Sequence, residues 1–178
     1  MGRFVRLSAI GIATGALVVT GCLIGLSASA ATPSRQGIQH GGHGREPVVI
    51  SALVAPSVPT DGTIFGVVPG GAPWGIEHGH ALIEQRGVLQ VDVQGLVLTT
   101  TESNPVPYLA ASVYCNSVLA ATTAPVPFSA AGDADIGALV SLPGLCVAPA
   151  VLLNPALSAS PSGVKTGIYI AFDGTASG

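Results

Sequence analysis

Charge is what this chain has least of. Lys and Arg number six and Asp and Glu nine, 8% of 178 residues, for a formal net charge of −3. Arg3 and Arg6 lie in an N-terminal segment that reads as an export signal, so the processed chain keeps four basic residues against nine acidic ones, 4 minus 9, or −5. Binding a polyanion takes a basic patch that displaces counterions from phosphates. Arg35, Arg45, Arg86 and Lys165 are too few and too scattered for that. Nucleic acid is therefore excluded as a partner, and so is a polybasic membrane-surface site.

Other shortages narrow the fold and the chemistry. Beyond residue 30 no stretch shows a capped 3.6-residue apolar period of useful length, which argues against helices. Every apolar run after Ala31 is broken by Pro, Gly or polar residues, so no second membrane span is expected. A G-x-S-x-G elbow is missing, and no serine, histidine and acid combination rises above background. The expectation is a protein that is not an enzyme and carries no cofactor.

What is present begins with export. Arg3 and Arg6 form a basic n-region, Leu7 to Leu26 is uncharged and apolar, and Ala28-Ser29-Ala30 supplies the small residues of a cleavage site. Three readings of this segment stand side by side. Cleavage between Ala30 and Ala31 is favoured. Val19-Thr20-Gly21-Cys22 resembles the lipobox of bacterial lipoproteins, which would lipidate Cys22, although the apolar run continues past it. Retention as an anchor is the third, since the run approaches the ~20 residues that span a bilayer. Membrane contact is thus expected only through this segment or a lipidated Cys22.

The chain then divides into residues 1–30 as signal peptide, 31–47 as a flexible leader rich in Gly, Pro and polar residues, and 48–178 as one domain. Removing the signal leaves 178 − 30 = 148 residues, enough for a real core.

Within the domain the pattern is one of short strands. Val48 to Val54 and Thr63 to Val68 are apolar runs bounded by Pro and Gly. Leu89, Val91 and Val93 alternate with Gln90, Asp92 and Gln94, the period of a half-buried strand, with Arg86-Gly87 as its hairpin turn and Gly95 as a bulge or a close backbone approach. Leu109, Ala111, Val113 and Cys115 share one face of a strand, as do Ile136, Ala138, Val140 and Leu142 of another. Val147 to Leu153 contains Pro149 and reads as an edge strand or an irregular segment. Ile168, Ile170 and Phe172 alternate through a closing strand. Asn104-Pro105-Val106-Pro107-Tyr108 and Ala124-Pro125-Val126-Pro127-Phe128 echo one another as two similar strand entrances.

In an exported chain thiols oxidise, so Cys115 and Cys146 are expected to form a disulfide. Neither has the spacing or the His neighbours of a zinc site. Closing a loop of this length contributes about 3 to 4 kcal/mol on the chain-entropy account. The fold class that follows is all-β: a single Ig-like β-sandwich or barrel-like antiparallel domain with one disulfide, preceded by a cleavable N-terminal signal helix.

Candidate site residues are few, and each has a plain alternative. His78 and His80 share a strand face with Glu84 near by, a donor set for a transition metal or simply surface histidines on a strand margin; His40 and His43 lie in the leader. Asp133 and Asp135 read as a turn followed by an outward-facing strand aspartate, since a calcium loop needs more oxygens at set positions. Trp74, the single tryptophan, sits in a Gly/Pro loop, where it is either a binding hot spot or a lid on the core.

At Val88 to Leu98, Asn104 to Pro107, Ala110 to Asn116, Ala121 to Ala134 and Ile168 to Thr175, the chain resembles the small secreted Ala/Val/Pro-rich proteins of actinomycetes, a family without an assigned activity. The resemblance covers most of Pro69 to Gly178 with both domain cysteines. It implies source and an extracytoplasmic location and carries over no catalytic or binding residue. The expected function is an exported, non-enzymatic structural or interaction protein of the cell envelope or the medium, with an envelope or protein partner. The alternative is a secreted module that binds a small ligand or a metal through the Trp74 loop or His78 and His80.

Overall fold

Period-two alternation builds the first wing of the fold. Leu89, Val91 and Val93 are buried while Gln90 and Gln94 face outward, and a neighbouring strand presents Ala81 and Ile83 to the same interior. The computed structural model describes residues 48–173. The chain divides into two units, Met1–Gly41 and Gly42–Gly178, and the described residues all belong to the second. The signal and leader, with Cys22, Ala30, Ala31, His40 and His43, lie outside the described residues.

In chain order the strands are β1 (Val48–Pro56), β2 (Val68–Pro69), β3 (Trp74–Gly75), β4 (His78–Glu84), β5 (Val88–Gln94), β6 (Val97–Leu98), β7 (Tyr108–Cys115), β8 (Val118–Thr122), β9 (Val126–Pro127), β10 (Ala134–Leu139), β11 (Ala150–Ala156), β12 (Ile168–Tyr169) and β13 (Ala171–Asp173). Nine of them form one antiparallel sheet in the order β10-β5-β4-β1-β13-β11-β7-β8, with β9 also on β7. β1 is the corner. Its first part pairs with β4 up to Leu53, and Val54 to Pro56 pair with β13, so one strand serves both wings.

The sheet curls until the wings face each other, which makes the fold all-β and sandwich-like. Ile83, Leu89, Val91 and Ile136 from one wing meet Leu109, Val113, Val151 and Leu153 from the other in a single apolar cluster. Burying each such side chain contributes about 1.5 to 3 kcal/mol.

β7 and β11 are covered on both faces. Outside them, Tyr114, Ala150 and Leu152 pack with Val67 and Tyr169 in a second cluster. Phe65 stacks on Tyr114 with ring centroids 5.0 Å apart, and the fully buried Tyr169 donates its hydroxyl to the Gly62 carbonyl at 2.8 Å. Asn154, also fully buried, donates Nδ2 to the Ile168 carbonyl at 2.7 Å.

Several expectations change here. Thr63 to Val68 is not one strand: only Val68 enters a strand, β2, and before it comes a tight reversal in which Ile64 and Val67 bond each other across Phe65 and Gly66, at φ 51 and 83. Its apolar residues cap the second cluster instead of joining the sheet. Val147 to Leu153 gives way to β11, an interior strand, because Pro149 precedes the pairing and Val151 to Ala156 are buried on both faces. The closing strand splits at Ile170 into β12, paired with β2, and β13. β8 and β9 are additional strands. β9 sets Val126-Pro127 antiparallel to Tyr108-Leu109, so the two echoing segments are neighbours.

The β4–β5 turn is one residue longer than Arg86-Gly87, because Gln85, Arg86 and Gly87 separate Glu84 at the end of β4 from Val88 at the start of β5. Gly87 adopts φ 82 there, and a Cβ would run into the Val140 carbonyl. Gly95, at φ 66, meets the expected close approach: a Cβ would sit 2.5 Å from the Glu77 side chain.

Candidate functional site

Two surfaces stand out, one polar and one apolar. The polar one is the outer face of β1, β4, β5 and β10. Register places His80 opposite both Leu53 and Asp92, and Asp92 opposite Asp135, making a row across four strands. Ser51 and His80 Nε2 lie 3.0 Å apart in a hydrogen bond. Burial pushes the Asp92 carboxyl above its ordinary value, and the hydrogen bond and charge of Asp135 push it the same way. The Gln94 side-chain amide, donating to Asp92 Oδ1 at 3.4 Å, opposes this. Grooves of about 380 Å³ and 340 Å³ flank His80 and Asp92.

Such a row can hold a polar ligand by accepting and donating hydrogen bonds on an open face. Ser51 and His80 are at nucleophile-to-base distance. Among the described residues, however, the hydrogen bonds of Asp92 go to Gln94 and Asp135 and not to the imidazole, so the third group that orients a base is turned elsewhere. His78, opposite Gln94, shares the outward face with His80. Glu84 lies four residues beyond His80 on that face, ~13 Å along an extended strand, too far to join it on one ion. Among the described residues no group of three His, Cys, Asp or Glu side chains is arranged to hold a metal ion.

Asp133 ends a turn in which its N–H bonds Ser129 Oγ at 2.9 Å and its carboxylate accepts from the Gly95 N–H at 3.1 Å; Asp135 follows as an exposed strand residue. Trp74 is 5% exposed and packs in the main core, with β3 paired to β6, so its indole acts as a lid from within.

The apolar surface lies at the disulfide. Cys115 at the end of β7 bonds Cys146 with Cα atoms 5.0 Å apart. β7 pairs with β8, β9 and β11, whereas β10 belongs to the other wing beside β5. The disulfide therefore ties β7 to the connection from β10 to β11, and so one wing to the link between both. Asn116 adds a second tether: Nδ2 donates to the Leu145 carbonyl at 2.9 Å, and Oδ1 accepts from the Val147 N–H at 2.9 Å. Asn116 and Ser117, at φ 53 and 64, form the two-residue turn into β8, a primed-type geometry that matches strand twist.

Beside this turn runs a groove of about 470 Å³, lined by Val118, Leu119 and Ala120 on one side and Ser141, Leu142 and Pro143 on the other. Leu139, Leu145 and Val147 are exposed near by. Neither Asn116 nor the groove stood out in the sequence. The signal available was Asn-Ser between two apolar runs, a weak turn motif, together with the lack of any charge around it.

No family model, curated protein or solved structure matches the chain. The fold and its surfaces define a disulfide-clasped, all-β module. An oxidised Cys115–Cys146 pair is consistent with an extracytoplasmic location. Among the described residues no helix is long and apolar enough to cross a membrane.

Proposed function

We propose that the protein is an exported, non-enzymatic protein of a structural or interaction kind, working at the cell envelope or in the medium. The observation that carries this reading is the apolar groove beside the Cys115–Cys146 clasp, none of whose lining residues is charged: it offers contact area to another macromolecule. The export pattern of residues 1–30 and the resemblance to small secreted actinomycete proteins support it further. Mass spectrometry of the natively produced protein tests the export half. An N-terminus at Ala31, or a diacylated Cys22, is expected, and an intact Met1 in the bulk of the protein overturns both forms of processing.

A second reading, a small-ligand or metal-binding module, draws on the grooves beside His80 and Asp92. A thermal melt with and without zinc or copper decides it, because a ligand that binds only the folded state raises the midpoint. An unchanged midpoint at millimolar metal removes the metal form of this alternative.

A further inference from the structure

The outer edge of β8 carries an inference of its own. One side of β8 bonds β7 from Ser112–Thr122 to Cys115–Val118. β8 ends the strand order, so among the described residues its other side bonds to no strand. Free edges are normally guarded by charge, proline or brevity. β8, VLAAT, has five residues with no charge and no proline. Its one guard is a register shift near Val113 and Tyr114, which leaves Ala120 as the extra residue of a bulge.

Apolar side chains lie along this edge. Val118 is 67% exposed and Leu119 45%, next to the groove closed on its far side by Leu142 and Pro143. No Asp, Glu, Lys or Arg occurs from Ser103 to Gly132 or from Ile136 to Val164, stretches that include β8 and every residue lining the groove. The chain as a whole is acidic. Two copies meeting elsewhere set like charges against one another, whereas two copies meeting here bring none.

We infer that β8 is a self-pairing edge: a second copy of this chain lays its own β8 antiparallel along the free side, joining two sheets across a two-fold axis, with Val118 and Leu119 filling the grooves. A two-fold contact is self-complementary by construction, so it needs a patch that tolerates itself, and an uncharged apolar strand does. The strand is also presented rigidly. The Asn116–Ser117 turn, the Asn116 tether and the disulfide hold its start, which lowers the ordering cost of association. A lipid surface is disfavoured as the occupant, since these stretches hold no Lys or Arg to meet anionic headgroups.

The inference rests on the reading of the protein as an interaction protein, and its test separates the two. The contact is short, so the dimer is a weak one, of the kind that forms at tens to hundreds of micromolar, about 10 to 300 µM. The protein as the cell produces it, with its disulfide intact, is run by sedimentation velocity over a concentration series spanning that range. The expected result is a mass rising from monomer towards dimer, with Leu119→Lys weakening association at least about tenfold and Leu53→Lys, on the opposite wing at 76% exposure, leaving it unchanged. Circular dichroism checks that each variant folds; if Leu119→Lys does not, Val118→Lys reads the same edge. A monomer throughout, or a dimer that Leu53→Lys disrupts and Leu119→Lys does not, overturns self-pairing and leaves export untouched. Sedimentation of monomer with phosphatidylcholine vesicles, abolished by Leu119→Lys, overturns it in favour of a lipid surface.

Discussion

β10 and β8 are the two outermost strands of the same sheet, and they are finished in opposite ways. All six residues of β10 pair with β5, from Ala134–Val93 to Leu139–Val88. Its start is held where Asp133 accepts from the Gly95 N–H, and its end where the Val140 N–H donates to the Gly87 carbonyl at 2.8 Å. It carries Asp135 outward beside Asp92, so a strand approaching that edge meets carboxylates. β8 has no charge, is bulged, and exposes Val118 and Leu119. Among the described residues neither strand has a partner on its outer side, but β10 is anchored at both ends and carries charge, whereas β8 is anchored at its start and carries none. The difference teaches that the apolar edge is not a by-product of a charge-poor composition, because the same chain protects its opposite edge.

The largest test of this contrast removes the clasp behind β8. Cys115→Ser with Cys146→Ser is expected to lower stability by about 3 to 4 kcal/mol, by freeing the unfolded chain. Urea unfolding measures it, and a loss below about 1 kcal/mol would show that the Asn116 tether alone holds the loop.

Truncation at each edge comes next. Ile136 in β10 is 3% exposed, and Ile136→Ala is expected to cost about 3 kcal/mol through the cavity it leaves. Leu119→Ala in β8, measured in dilute protein, is expected to cost less than about 0.5 kcal/mol. Equal losses would erase the distinction between an anchored and an open edge.

Asn116 separates two reasons for the rigidity of β8. Asn116→Gly keeps the positive-φ turn and loses the amide tether, for about 1 kcal/mol. Asn116→Ala loses both and adds the left-handed penalty, for about 2 kcal/mol in total. If the two variants melt together, the turn conformation contributes nothing and the tether is the whole effect.

What could be read without the structure follows from where solvent lies. β5 was legible because one face is wet, so Leu89, Val91 and Val93 alternate with polar residues. The turn at Asp133 and the approach at Gly95 were legible from local chemistry, and the disulfide from the export-signal pattern and the cysteine count. β11 was not, because burial on both faces erases alternation and Pro149 and Pro155 flank or interrupt the run. β8 was hidden for the opposite reason: Val118, Leu119 and Thr122 are all exposed, so VLAAT has no buried stripe to reveal it. Ile64 to Val67 looked like a strand because the apolar residues that cap a second cluster have the same composition as strand residues. The row of Ser51, His80, Asp92 and Asp135 depends on the register of four strands distant in sequence, which no local pattern encodes.

The smallest effect concerns the guarded edge itself. Asp92 and Asp135 face each other across β5 and β10, and like charges directly opposite destabilise a sheet. Because the folded-state carboxyl of Asp92 is raised above its ordinary value near 3.8, the folded protein holds that proton more tightly than the unfolded chain. The associated stability is full below the ordinary value and is lost as pH rises through the raised one. Asp92→Asn removes the cost, so at pH 7 it is expected to stabilise by about 0.5 kcal/mol, a small figure because solvent screens the pair. The gain reads as a rise of about 1 to 3 °C in Tm at pH 7 and fades as the pH falls below the raised value of Asp92, where that carboxyl is protonated in the wild type. Asp135→Asn should give a similar gain, and the double variant less than the sum, since each change already relieves the same repulsion. A Tm that falls at pH 7 would mean that Asp92 is held by an attraction stronger than Asp135 repels it. The guard on β10 would then be structural, and the contrast with β8 would rest on anchoring alone.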